Sequence, residues 1–125
     1  KLKGGGKAVD TDMNVPENEK GYPEHRMYGR ILPGYGFYIR HADNITMDNV
    51  RVSVDGGTEE RYAIAADDVT GLTVKNSTLQ APSGGKPVVW LKSCKAVRLT
   101  GNDVGDAVSR YTGKEDTPDG EVIVE

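Results

Sequence analysis

Between Gly36 and Val104 the apolar positions recur in one fixed order three times. In Gly36–Val54 they are Phe37, Ile39, Ala42, Ile45, Met47, Val50 and Val52; a shift of 27 residues lays these on Ile64, Ala66, Val69, Leu72, Val74, Ser77 and Leu79. A shift of 52 lays them on Val89, Leu91, Cys94, Val97, Leu99, Asn102 and Val104. Within each copy the short runs (37/39, 45/47, 50/52) alternate at period two, the strand period, and three-residue steps between runs flip the parity. A parity flip that keeps apolar residues on one side means that the chain turns a corner. Three short strands, two corners and a polar loop (Asp55–Glu60, Ala81–Lys86) make one coil of a parallel β-helix. Self-similarity at this period marks a solenoid, whose coils bury their inner faces only by stacking about 4.8 Å apart. No i, i+3, i+4, i+7 stripe survives across the corners, so a helical reading fails.

Stacking in register can be tested on the rows of equivalent residues. The outward row of the first strand reads Arg40, Asp67, Lys92, alternating in sign, and a second outward row opens with Asp48 above Lys75. Opposite charges side by side across strands help and like charges hurt. At the second corner Asn49 meets Asn76, with Gly101 and Asn102 in the third coil. Asn and Gly tolerate the left-handed backbone of a sharp corner, and stacked Asn amides can hydrogen-bond along the pile. Asn49, Asn76 and Asn102 are therefore the expected structural corner residues.

Outside the repeat the signals are weaker. Residues 1–35 read as a loop-rich flank or cap: Lys1–Lys7 carries no structural demand of its own, and Met27, Tyr28, Ile31 and Leu32 are the apolar contacts it offers. After coils at 36–60, 61–86 and 87–120, with Gly105–Gly120 a polar excursion, Glu121–Glu125 is expected to open a fourth coil as its first strand, Val122 and Val124 facing in. The result is an all-β solenoid of about three and a half coils.

Composition narrows the function classes. A chain of 125 residues with 36% hydrophobic and 28% charged residues makes one domain, and a net charge of −3 gives no reason to expect nucleic acid or an anionic membrane as partner. No run of 18 apolar residues exists to span a bilayer. No signal peptide is visible, and a first residue Lys1 rather than Met suggests a chain without its natural start. Cys94 is the sole cysteine, which excludes an internal disulfide and a cysteine-based zinc site. Its alignment with Ala42 and Val69 makes it a small buried hydrophobe. No metal and no cofactor is called for. Asn44-Ile45-Thr46 and Asn76-Ser77-Thr78 match the glycosylation pattern by chance.

Val15-Pro16-Glu17-Asn18, Gly21-Tyr22-Pro23-Glu24, the run Leu32-Pro33-Gly34-Tyr35-Gly36-Phe37-Tyr38-Ile39-Arg40-His41 and Asn49-Val50 are similar to the C-terminal third of bacterial glycoside hydrolase family 28, the polygalacturonase-like pectin hydrolases. The resemblance covers about residues 14–104. It implies a right-handed parallel β-helix, secretion or a periplasmic location, and inverting hydrolysis of pectic glycans by aspartates on central coils. The family's catalytic motifs have no counterpart here. Asp10-Thr11-Asp12 lacks the Asn of Asn-Thr-Asp, Asp67-Asp68 follows Ala66 rather than Gly, His25 and His41 lack flanking glycines, and Ile39-Arg40 is not Arg-Ile-Lys. No catalytic residue is assigned.

The chemistry of the residues agrees. Inverting glycosidases need two carboxyls about 6.5–9.5 Å apart, one of raised pKa. Asp67 and Asp68 are adjacent in a strand and expected on opposite faces, with cations beside Asp67; Asp43 and Asp48 are surface positions. For sugar binding, Tyr38 and Trp90 share an outward row with Ala65 between them, and Arg40 and Lys92 beside them suit a uronate carboxylate. The opposing expectation is that these aromatics pack beneath residues 1–35, as buried Trp and Tyr usually do. Three readings follow: the C-terminal coils of a pectin-degrading hydrolase, a non-catalytic module that binds polysaccharide or protein, and a structural segment that self-associates end to end.

Overall fold

The computed structural model describes residues 2–21 and 28–125, and Tyr22–Met27, with His25 and the expected contact Met27, lie outside the described residues. The chain winds as a parallel β-solenoid. Strands β1 (Leu2–Lys3), β2 (Gly34–Asp48), β3 (Arg51–Val52), β4 (Val54–Asp55), β5 (Tyr62–Lys75), β6 (Thr78–Leu79), β7 (Val89–Lys92), β8 (Val97–Thr100), β9 (Thr112–Glu115) and β10 (Val122–Val124) follow in order. β2 and β5 each run through the first corners, so one long strand supplies the first two sides of its coil. First sides stack as β2, β5, β7, β9, second sides as β2, β5, β8, β10, and the third side pairs β3 with β6. About four coils are therefore present among the described residues, the last with its first two sides only.

The register is the one that the repeat predicts. Phe37 pairs with Ile64 and Ile64 with Val89, Arg40 with Asp67 and Asp67 with Lys92, and Asp48 with Lys75. The inner rows form the core: Ile64, Ala66, Val69, Leu72, Val74, Leu79, Val89, Leu91, Cys94, Val97 and Leu99 are all at most 1% exposed. Each buried residue is covered by its equivalents in the coils on either side, which is why a chain poor in apolar residues still makes a closed core.

Corners use left-handed backbone in three columns: His41, Asp68, Ser93 and Asp116; Asn44, Gly71 and Ala96; Asn49, Asn76 and Gly101. Asn49 and Asn76 thus hold the corner role read from the sequence. Asn102 does not. Gly101 takes the left-handed position, at φ 65°, and Asn102, one residue on, turns its side chain into the stack, donating to Val74 O and to Tyr111 Oη. Nor do the Asn amides stack; Asn76 Nδ2 donates to Asp48 Oδ1 instead. The corner amides donate to backbone carbonyls of the next coil, Asn49 N to Lys75 O and Asn76 N to Thr100 O, and a ladder of side-chain acceptors meets the amides just past the corners. Val50 N donates to Ser77 Oγ (3.1 Å), Ser77 N to Asn102 Oδ1 (2.9 Å) and Cys94 N to Thr117 Oγ1 (3.1 Å).

Two stretches differ from the sequence reading. Gly105–Gly120 is not one excursion: Ala107–Arg110 is a 3-10 turn, and β9 then pairs residue by residue with β7 as the first strand of the fourth coil. Glu121–Glu125 contains the second strand of that coil, Val122 lying on Val97 and Val124 on Leu99. The period hid this because Lys92 and Val97 are separated by four residues, whereas six separate their partners Glu115 and Val122. The inner row of the fourth coil is also polar, with Lys114 on Leu91, so the alternation of apolar residues fades there. Lys114 Nζ pairs with Asp119 Oδ1 at 2.5 Å at the exposed end of the stack, and a lysine on the last strand blunts an edge.

The N-terminal segment is more structured than its composition suggests. β1 pairs with β4 in parallel. Gly6 is buried under Arg61, which grips the buried Glu59 carboxylate through Nε (2.9 Å) and Nη2 (2.7 Å). A Cβ on Gly6 would lie 2.0 Å from Arg61 Nε, so this stretch does carry a structural demand. Of the expected apolar contacts, Ile31 is 53% exposed while Tyr28 and Leu32 are half-buried, and Met13 and Val15 add buried packing.

Candidate functional site

The outward face of the first side carries the residues selected for sugar binding. One column reads Tyr38, Ala65, Trp90, Gly113, and the next Arg40, Asp67, Lys92, Glu115. The first alternates large and small, because neighbouring strands lie about 4.8 Å apart and an indole can lie flat only over a residue with little side chain. Trp90 lies over Gly113 and stacks on Tyr62, ring centroids 5.3 Å apart and planes 18° from parallel. The second column alternates in charge through all four coils, and Arg40 Nε lies 3.7 Å from Asp67 Oδ2.

A strap crosses this face. Thr11, Met13 and Val15 are buried while Asp12, Asn14 and Pro16 are exposed, so Thr11–Glu17 presents a period-two apolar edge to the sheet. Met13 packs with Tyr62, Ala65 and Trp90. Polar groups hold the strap at both edges. Arg40 Nη1 donates to Pro16 O (3.2 Å) and Nη2 to Val15 O, Lys92 Nζ donates to Asn14 Oδ1 (3.2 Å), and Arg30 reaches Asp12 O (3.0 Å). Glu17 completes the set, its Oε1 lying 3.1 Å from Arg40 Nη2 and 2.6 Å from His41 Nε2.

Electrostatics follow from these contacts. His41 lies between two carboxylates, Nε2 toward Glu17 and Nδ1 2.7 Å from Asp68 Oδ2. Hydrogen bonding to Glu17 first, and to Asp68 next, raises the imidazole pKa, and the same bond lowers that of Glu17. Burial pushes the Tyr38 phenol up to about 12 and raises that of Tyr62. Three donors on this face, Tyr38 Oη, Arg40 Nε and Trp90 Nε1, are buried with no hydrogen-bond partner.

Tyr38, Arg40, Trp90 and Lys92 are thus brought together as the sequence predicts, but as a covered strip and not an open platform. Asp67 and Asp68 are not on opposite faces of a strand: Asp67 is 8% exposed beside Arg40, while Asp68 takes a left-handed corner and bonds His41. Neither carboxyl is free to act as the acid or base of a glycosidase pair. Cys94 is buried, and burial raises its thiol pKa. Among the described residues no group of His, Cys, Asp and Glu is placed to hold a metal ion, and no helix is long and apolar enough to cross a membrane. A groove of about 430 Å³ along the third side, lined by Gln80, Asp103, Asp106 and Arg110, contains none of the residues selected from the sequence.

Met13, Val15, Glu17, Tyr62 and Gly113 belong to the site and were not selected from the sequence. The alternation Thr11, Met13, Val15 was the available signal, a strand period lying before the repeat begins. No family model matches the chain, and neither a curated protein nor a solved structure is detectably similar to it.

Proposed function

We propose that this chain is the C-terminal β-helix portion of a pectin-degrading, polygalacturonase-like glycoside hydrolase, a scaffold whose hydrolytic carboxylates are not among its residues. The observation that carries this reading is the use made of the run Leu32–His41. Its residues open the first full coil: Pro33 O accepts from Tyr62 N (3.1 Å), Tyr35 Oη donates to Gln80 O, and Gly36 lets the backbone close on Val52 and Ala63. Arg40 and His41 then anchor the strap. The part of the sequence that resembles the hydrolases is therefore architectural, which suits a chain with the family's scaffold and without its catalytic motifs. The covered aromatics disfavour a module that binds glycans through an open platform.

The test is the size and activity of the natural product. The reading expects a species longer than 125 residues that releases reducing sugar from polygalacturonate, with the 125-residue chain inactive alone. A natural product of this length only, or a longer one inert on pectic glycans, overturns it.

A further inference from the structure

We propose that the Tyr38–Tyr62–Trp90 strip, edged by Arg40 and Lys92, is a binding site for a glycan chain carrying carboxylates, and that Thr11–Glu17 occupies it as a displaceable internal mimic of that ligand. The choice of a uronate-bearing glycan rests on the hydrolase reading above; the occupancy rests on geometry.

The strap meets each cation of the strip with an oxygen. Asn14 Oδ1 faces Lys92, Val15 O and Pro16 O face the Arg40 guanidinium, and a Glu17 carboxylate oxygen lies against both Arg40 and His41. Between them Met13 lays an apolar side chain against Tyr62 and Trp90. This is the pattern of a uronate chain, in which ring faces stack on aromatics and carboxylates and hydroxyls reach the flanking cations. The imitation is incomplete where it matters. Trp90 Nε1 and Tyr38 Oη are buried donors without acceptors, and a buried donor left unmade favours any occupant that satisfies it. Met13 and Val15 offer no side-chain oxygen, whereas a sugar offers several. The strap is also attached by side-chain contacts and not as a strand of any sheet, so it can leave without breaking a ladder.

Trp90 is the only tryptophan of the chain and reports on the strip directly. The full chain is titrated with trigalacturonic acid, and with cellotriose as a neutral control, while Trp90 emission is followed in the natural sequence and in Met13→Ser/Val15→Ser. Saturable change with trigalacturonic acid is expected in both, at least about tenfold tighter in the double variant, abolished by adding Lys92→Gln and absent with cellotriose. If the double variant does not fold, Glu17→Gln, whose side chain is exposed and outside the core, replaces it with an expected gain of about threefold. Equal affinity with and without a weakened strap, no change in emission, or equal binding of the neutral trisaccharide overturns the proposal. The readout needs no hydrolysis. An inactive protein that binds keeps the proposal, and an active longer protein whose strip does not bind refutes it while leaving the hydrolase reading intact.

Discussion

Gly113 is where the large–small alternation of the outer column can be tested most sharply. In Gly113→Ala the new methyl lies 2.3 Å from two ring carbons of Trp90, Cε3 and Cζ3, and 2.9 Å from Pro87 Cγ. Carbon atoms pack comfortably at about 3.5–4.0 Å, so the indole must retreat by roughly 1 Å or more. It has little freedom to do so, being stacked on Tyr62 and covered by Met13. Overpacking of this kind costs about 1–3 kcal/mol, and loss of the aromatic stack about 0.5–1.5 kcal/mol more. A total of about 2–4 kcal/mol corresponds to a fall in Tm of roughly 6–15 °C for a chain of this size. Thermal unfolding followed by circular dichroism measures the fall, and Trp90 emission should shift to the red in the folded variant. Gly120→Ala is the control, since no heavy atom lies within 4 Å of the place its new methyl would take, and it should melt within about 0.5 kcal/mol of the parent. A Gly113→Ala protein as stable as the parent, with unchanged emission, would refute the alternation argument.

Other expectations concern the corners, the thiol and pH. Asn76→Ala places a Cβ-bearing residue without a local amide at φ 52° and should lower stability by about 1–2 kcal/mol in urea titrations, whereas Asn76→Gly should recover most of it; equal losses would mean that the Asp48 hydrogen bond and not backbone conformation sets the cost. Cys94, 0% exposed with its thiol pKa raised by burial, should react with iodoacetamide only at the rate of global opening, and fast labelling of the native protein would contradict its placement. His41 has a folded pKa above its unfolded value through Glu17 and Asp68, so the stability it contributes is fully present below the unfolded pKa and is lost as pH rises through the folded one. Stability measured across neutral pH should therefore decline more steeply in the parent than in His41→Gln, and parallel profiles would show that the imidazole contributes nothing.

The parts of this fold legible in the sequence are those where one physical demand repeats. Rows of Ile, Leu and Val at fixed offsets give coil length and register because a slip of one residue would expose every inner side chain. Arg40, Asp67 and Lys92 were readable for the same reason, and Glu115 extends their alternation. The fourth coil escaped because two extra residues lie at its corner and because Thr112, Lys114 and Thr117 stand in the inner rows. The strap was a different loss. Its contacts with Arg40, Lys92 and Tyr62 span tens of residues and mix backbone oxygens, the Asn14 amide and the Met13 side chain, which leave no repeating pattern along the chain. Asn102 shows the limit of reading corners by residue type: Gly and Asn stand next to each other, and the residue without a Cβ takes the strained position.

The corner ladder gives the stack a direction. Val50 takes its acceptor from Ser77, Ser77 from Asn102, and Cys94 from Thr117, so in these pairs an amide on one coil is satisfied by a side chain of the following coil. Fraying from the C-terminal end therefore removes a needed acceptor from the coil newly left at the edge, starting with Cys94 when Thr117 departs. Fraying from the other end also removes acceptors, since Thr78 N donates to Val50 O, Asp103 N to Ser77 O and Asn102 Nδ2 to Val74 O, but those acceptors are nearly all backbone carbonyls. In a chain whose coils interact with nearest neighbours alone, loss of a terminal coil at either end therefore leaves unpaired groups on the next, and at the C-terminal end these include corner amides whose side-chain acceptors leave with it.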